Sequence, residues 1–345
     1  MLVSVLAALS LAVAADQPGN NPQLSTGADV QQAAESEGPV LQLEATDAPG
    51  SEIVRESAGE YAAYHRVIAD LHSAPIGSGE DLDQAMDSLT AFYGEDRLVR
   101  AWIAYAAIIA ARHPEYLDEV SELADYYGPQ AAMSGLMYDP GFATSFSTAD
   151  NAEASVVEVI QQDTSQIREV GERYRTAAYD LQSQRWANRR AGDRQARLAA
   201  LASIGERPIT VPDDVQITLA SNYATGLPAS ELFEYEDAVL PAGSVGPQLR
   251  LNVGEAQVTP DSERIGRILS VAALQSLDSD PANTEAVIDA LLSDPAVERC
   301  LAWVRLDLQQ CVAAGHFKYE DSFCIAEHAL MDVSNCLGVS RSAGQ

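Results

Sequence analysis

The chain has 345 residues, of which 47% are hydrophobic and 6% aromatic, and its 51 acidic against 21 basic residues give a net charge of −30. That balance argues against free nucleic acid and anionic membrane surface as partners, since both are repelled on approach. The length asks for one large domain or two smaller ones, and the scarcity of aromatics asks for a core of Ala, Leu, Val and Ile in closely packed helices.

Residues 1–15 read as a signal peptide. Leu2 to Ala15 is an uncharged apolar run ending in Ala12-Val13-Ala14, an A-x-A cleavage pattern. A run of about 14 residues is too short to span a bilayer and fits a secretory core segment. The basic segment that usually precedes such a run is missing, leaving room for a start upstream of Met1. Residues 16–56 are rich in Gly, Pro, Asn, Gln, Ser and acids, and read as a disordered acidic linker.

An N-terminal helical domain is expected over 57–206. Tyr61, Tyr64, Ile68 and Leu71 fall on one helical face, and Leu82, Met86 and Leu89 mark a second helix. Leu98 to Ala111 is apolar all round and too short for a membrane, which predicts a buried central helix. Glu115 to Tyr127 predicts another, stopped by Gly128-Pro129. Asp-Pro at 139–140, 280–281 and 294–295 reads as three helix starts, with Asp as cap and Pro in the first turn. From Asn151 to about Ile204, Ile167, Val170, Tyr174, Ala177 and Leu181 form a coiled-coil-like seam, predicting one long helix or two joined at a kink. Gly171 and Gly192 should weaken it.

Residues 207–258 read as an irregular linker, with Val215, Ile217 and Leu219 alternating as in a short strand. A C-terminal helical domain follows over 259–340, with helices from Ser262 to Leu277, from Asp280-Pro281 to Leu292, and from Asp294-Pro295 onward.

The four cysteines, Cys300, Cys311, Cys324 and Cys336, carry the strongest signal. Eleven residues of helix separate Cys300 from Cys311 by roughly 16 Å, and twelve separate Cys324 from Cys336 by roughly 18 Å. Neither pair can bond within its own helix, because a disulfide needs Cα atoms within about 7 Å. Folding the two helices back antiparallel brings Cys311 to Cys324 near the turn and Cys300 to Cys336 at the open end. This resembles the coiled-coil-helix-coiled-coil-helix architecture, although the spacings here are C-x10-C and C-x11-C where that family has C-x9-C. The overall expectation is an all-α fold, a helical bundle with a long coiled-coil-like helix plus a C-terminal disulfide-stapled helical hairpin.

Other chemistry is weak. A thiolate metal site of Cys311, Cys324, His316 and His328 conflicts with an oxidising compartment. His65 and His72 lie two turns apart, too far to share an ion. Gly77-Ser78-Gly79 follows no strand, as a nucleophile elbow would. Asp278, Asp280, Asn283 and Glu285 lack the glycine of a calcium loop. No cofactor and no metal site is expected, and no catalytic residue can be named among so many carboxylates. Arg185, Arg189, Arg190, Arg194 and Arg197, with Trp186 among them, form a basic island that at helical spacing would cover one surface. They offer a docking face for an anionic glycan, the cell-wall polymer or an acidic partner, or else pair with the protein's own carboxylates.

The phrase Lys318-Tyr319-Glu320-Asp321-Ser322-Phe323-Cys324 followed by His328, the Ala-rich stretch at 104–111, and Asp139-Pro140-Gly141-Phe142 resemble exported alphaproteobacterial proteins without known activity. The resemblance implies export and the disulfides. The functional expectation is a non-catalytic interaction or structural protein of the periplasm or cell envelope, bound to a protein or envelope polymer. The alternatives are an enzyme acting on an envelope polymer, and a small-ligand binder with a pocket near Trp102 and Tyr105.

Overall fold

Proline sets the rhythm of this chain. The computed structural model describes residues 51–235, 261–277 and 281–339, and these are α-helical with no β-strand among them. Five helices carry Pro at their first position: α4 (Pro114–Tyr127), α5 (Pro129–Tyr138), α6 (Pro140–Thr144), α11 (Pro281–Leu291) and α12 (Pro295–Ala314). Proline costs nothing there, because that N–H has no intrahelical partner. Asp139 caps α6 by accepting from the Gly141 N–H at 2.9 Å, and Asp294 caps α12 by accepting from Ala296 and Val297 at 2.9 and 3.1 Å. Between α4 and α5, Gly128 takes φ 92°, which glycine adopts freely, so Pro129 can start a new helix one residue later.

The core is built around α3 (Arg97–Ala110), in which every residue from Ala101 to Ala110 is buried. α1 (Glu52–Ser73) and α7 (Ala149–Leu181) lie against it, and α2 (Gly79–Thr90) follows α1. Small side chains on α3 let these neighbours approach closely, as the Ala-rich sequence requires. The buried seam of α7 runs through Ile167, Val170, Tyr174 and Leu181, with Ala178 buried and Ala177 half-buried. Gly171 lets α7 come close to the C-terminal hairpin: a Cβ there would lie 2.8 Å from Met331 Cγ and 3.3 Å from the Ala326 carbonyl oxygen. The glycine serves contact rather than weakness.

The expected long helix ends at Leu181. Residues 182–193 form an irregular loop, and α8 (Arg194–Gly205) starts anew under the Asp193 cap. The expected linker also differs. Within 207–258, α9 (Asp213–Thr225) is a helix and not a strand; Val215 and Leu219, four apart, are buried while Ile217 is 69% exposed. A 3-10 turn, Ala229–Glu231, closes against α1 and α7. The first described helix, α1, begins at Glu52, before the 57 expected for the start of the helical domain.

α10 (Asp261–Leu274) packs on α3 and α6, so the helices on either side of the expected linker share one core. All described residues belong to one compact unit. The expected signal peptide (1–15), most of the acidic linker, the rest of 236–258, and Asp278 with Asp280 lie outside the described residues.

The tail is the expected stapled hairpin. α12 forms one arm. The other runs through α13 (Lys318–Cys324), a π-helical segment Ile325–Met331 and α14 (Asp332–Leu337). Cys300–Cys336 and Cys311–Cys324 are both bonded, each with Cα atoms 5.7 Å apart, and no free cysteine remains. The wider π turn loosens the local ladder, and the Tyr93 hydroxyl donates to the Ala329 carbonyl inside it. No helix among the described residues is long and apolar enough to cross a membrane.

Candidate functional site

Arg185, Trp186, Arg189 and Arg190 lie on a loop, while Arg194 and Arg197 lie in the first turn of α8, so the basic island does not form one helix face. Ala187, fully buried, anchors the loop, and half-buried Trp186 packs against the core. Asn188 Nδ2 donates to the carbonyls of Gln182 and Gln184 at 2.6 and 3.0 Å, tying the loop to itself. The loop is then bound edge to edge to the turn of the disulfide hairpin. The Ala191 N–H donates to the His316 carbonyl at 2.9 Å, the Lys318 N–H to the Arg189 carbonyl at 3.2 Å, and the Tyr319 N–H to the Ala187 carbonyl at 3.2 Å. Glu320 holds the turn by accepting from the His316 and Phe317 N–H groups. Phe317 and Tyr319 stack with ring centres 5.8 Å apart.

Of the six expected residues, Arg185, Arg189, Arg190 and Arg194 are exposed and make no ion pair among the described residues. Arg197 is withdrawn from the face. It pairs with Asp321, which is 3% exposed, and donates to the Val312 carbonyl at 3.1 Å. Lys318, the one lysine, is likewise spent on Asp83 and Asp321. Burial raises the Asp321 pKa, and the adjacent Arg197 and Lys318 charges oppose the rise. Four guanidinium groups without partners, on a backbone pinned at both ends, thus face solvent on a strongly acidic protein.

A second polar region lies inside the bundle. Asp163, on α7, accepts from the Ser230 N–H at 2.8 Å and so fixes the 3-10 turn. Gln166 accepts from His65 Nδ1 at 3.1 Å and donates to the Ser230 carbonyl at 2.9 Å. That assignment puts the proton on Nδ1 and leaves Nε2, buried, without a partner. Asn222 Nδ2 donates to Tyr105 Oη at 2.8 Å, while its Oδ1 accepts from the Leu227 N–H at 2.7 Å. Gln166 and Ser230 also line an open cleft of about 520 Å³, together with Glu158, Glu169 and Glu231. His65 is fully buried behind Gln166, so the cleft does not reach it. Where a pocket was expected, near Trp102 and Tyr105, both side chains are buried, each 1% exposed. His72, the other histidine of α1, is buried against Tyr235, ring centres 4.1 Å apart, and 3.6 Å from Glu169.

His65 makes folding sensitive to acid. Burial lowers its pKa from 6.5, against the opposing influence of Asp163 and Gln166. The unfolded chain therefore binds a proton that the fold refuses, and stability is lost as pH falls below about 6.5. The His65 contribution can reach about 1.4 kcal/mol per pH unit. The urea midpoint of the wild type should fall more steeply between pH 7 and 5.5 than that of His65→Gln. His328, whose pKa is raised chiefly by its hydrogen bond to Asp332, acts with the opposite sign in both proteins and cancels in the comparison. Equal slopes would remove His65 as the acid-sensitive group.

Sequence reasoning missed one cluster. Asp307 on α12 meets His328 and Asp332 on the opposite arm, with one potential ligand atom from each lying within 4.8 Å of the others. The signal was the hairpin register. Paired residue numbers total 636 and 635 at the two disulfides, and Asp307 with His328 totals 635. The cysteine–histidine site weighed earlier is absent, since both of its cysteines are oxidised. Comparison with protein-family models, with curated proteins and with solved structures finds no match.

Proposed function

We propose that this chain is an exported, non-catalytic binding protein of the periplasm or cell envelope, and that its arginine loop docks on the carboxylate-bearing cell-wall polymer. One observation carries the reading: Arg185, Arg189 and Arg190, on a loop hydrogen-bonded to a disulfide-stapled turn, and Arg194, at the start of α8, stand exposed and without ion-pair partners among the described residues. A fixed backbone lowers the ordering cost of binding, and guanidinium forks match carboxylates in pairs. Trp186 and the stacked Phe317 and Tyr319 supply flat apolar surface beside them. Two disulfides with no thiol left over fit an oxidising compartment. The net charge of −30 keeps the rest of the surface from adhering to the same polymer.

Co-sedimentation with purified cell-wall polymer tests the reading. Wild-type retention should fall as salt shortens the Debye length from about 10 Å to about 3 Å. Arg189→Glu with Arg190→Glu should lower retention at least about tenfold at low salt, roughly 1.4 kcal/mol, with unfolding unchanged because both side chains are exposed. Retention equal to wild type would remove the docking face.

A second reading, an enzyme acting on the envelope polymer, draws support from the cleft with Glu158, Glu169 and Glu231. The binding reading is preferred because it rests on exposed guanidinium groups whose backbone placement is fixed by hydrogen bonds to the hairpin turn. Release of soluble polymer fragments by the wild type, lost in Glu158→Gln or Glu169→Gln, would reverse that preference.

A further inference from the structure

We propose that Asp307, His328 and Asp332 form a binding site for a divalent transition-metal ion of the zinc or manganese class, set between the two disulfide rungs of the hairpin. Four features support it.

The first is donor chemistry. One imidazole nitrogen and two carboxylates suit zinc, manganese or ferrous iron, and leave remaining positions for water. The second is spacing. His328 Nδ1 and Asp332 Oδ2 are 2.8 Å apart, and no pair in the trio exceeds 4.8 Å. Ligands about 2.1 Å from one ion stand roughly 3 to 4.2 Å apart, so side-chain adjustments of a few tenths of an ångström close the set. The third is preorganisation. Asp307 lies between Cys300 and Cys311, while His328 and Asp332 lie between Cys324 and Cys336. A rung on either side fixes the distance between the two arms, so an ion meets ligands already gathered. The π-helical segment Ile325–Met331 includes His328 and runs directly into Asp332, and such segments recur where a helix must re-aim side chains for function. The fourth is access and field. All three residues are half-buried, open to solvent yet held by their neighbours. On a chain of charge −30, a divalent cation is drawn in.

The charged groups around the trio fit a cation. Glu327 is adjacent to His328 in sequence, and the Arg175 that pairs with it at 3.7 Å is shared with Glu172. The site stands apart from the arginine loop, so the two proposals fail separately.

Calorimetric titration of the full, oxidised chain with Zn²⁺, and separately with Mn²⁺, tests the site. Saturable binding of one ion is expected. His328→Ala and Asp307→Asn should each weaken it at least about tenfold, whereas Asp118→Asn, on the exposed face of α4, should not. Mn²⁺ gives a second readout that tolerates weak nonspecific binding: among the five histidines, His328 should be the first whose ring resonances broaden. Binding unchanged in His328→Ala, or uniform broadening of all histidines, would show that only the diffuse negative charge attracts the ion and would overturn the proposal.

Discussion

Serine at all four cysteine positions is expected to remove about 6 kcal/mol from the unfolding free energy, on the loop-closure estimate for nested loops. The outer bridge, Cys300–Cys336, spans 36 residues and contributes about 4 kcal/mol. The inner one, Cys311–Cys324, spans 13 and contributes about 3 kcal/mol. The second crosslink acts on a chain already shortened by the first, so the sum is less than additive. Urea midpoints of the two single-bridge variants and the bridge-free protein measure all three values. The inner bridge has a further effect. It closes the turn that receives the Ala191 N–H and supplies the Lys318 and Tyr319 N–H donors. Hydrogen exchange at those three amides should accelerate in Cys311→Ser with Cys324→Ser and stay slow in Cys300→Ser with Cys336→Ser. A bridge-free protein as stable as the wild type would show that the hairpin holds by packing alone.

The second large effect centres on Trp102. The side chain is 1% exposed on α3, and the Arg264 guanidinium lies over its ring at 5.8 Å. Arg264 reaches in turn to the Gly338 carbonyl at 3.0 Å and to Asp294, the cap of α12, at 3.5 Å. The indole is therefore the floor on which α10, the start of α12 and the end of the hairpin arm are joined. Trp102→Ala leaves a cavity at this junction and should cost about 3–5 kcal/mol, which lowers the melting temperature by roughly 7 °C in a body of this size. Trp102→Phe keeps a ring beneath Arg264 and removes an indole N–H that is buried without a partner. It should cost under half as much. Thermal unfolding of both variants measures the difference, and equal losses would locate the effect in volume alone.

How far the sequence exposed this structure depends on which forces act locally. Pro at helix starts and Asp as cap act within three residues, and α6, α11 and α12 begin where those residues say. An apolar stretch with no polar face has only the core to enter, and α3 lies there. The cysteines were legible because helical rise and bond length leave one antiparallel register. Long-range contacts were not legible. Nothing between Gln182 and Asn188 breaks a helix; the hairpin turn instead holds the chain off the helix path by bonding Ala187, Arg189 and Ala191. Val215 and Leu219 fit both a strand alternation and a helix period, and α1 decides for the helix by covering α9. Gly171 looked like a weakness until Met331 was seen against it. The arginines were found in sequence, but only the fold separates Arg197, a strut on Asp321, from its four exposed neighbours. Asp307, His328 and Asp332 follow from the register that the cysteines define, since all three lie between the rungs.

The seat of α10 on α3 and α6 bears on how the protein comes into being. Ile268, Leu269, Val271, Ala272, Ala273 and Leu274 are fully buried there. A nascent chain that has emerged only to Tyr235 carries the matching apolar flank of α3 bare. It has no sequence-local cover to draw on, and uncovered flanks of this kind invite sticking between chains. Maturation must therefore wait for residues 261–339, so a segment made late, which also holds the cysteines, covers one made early.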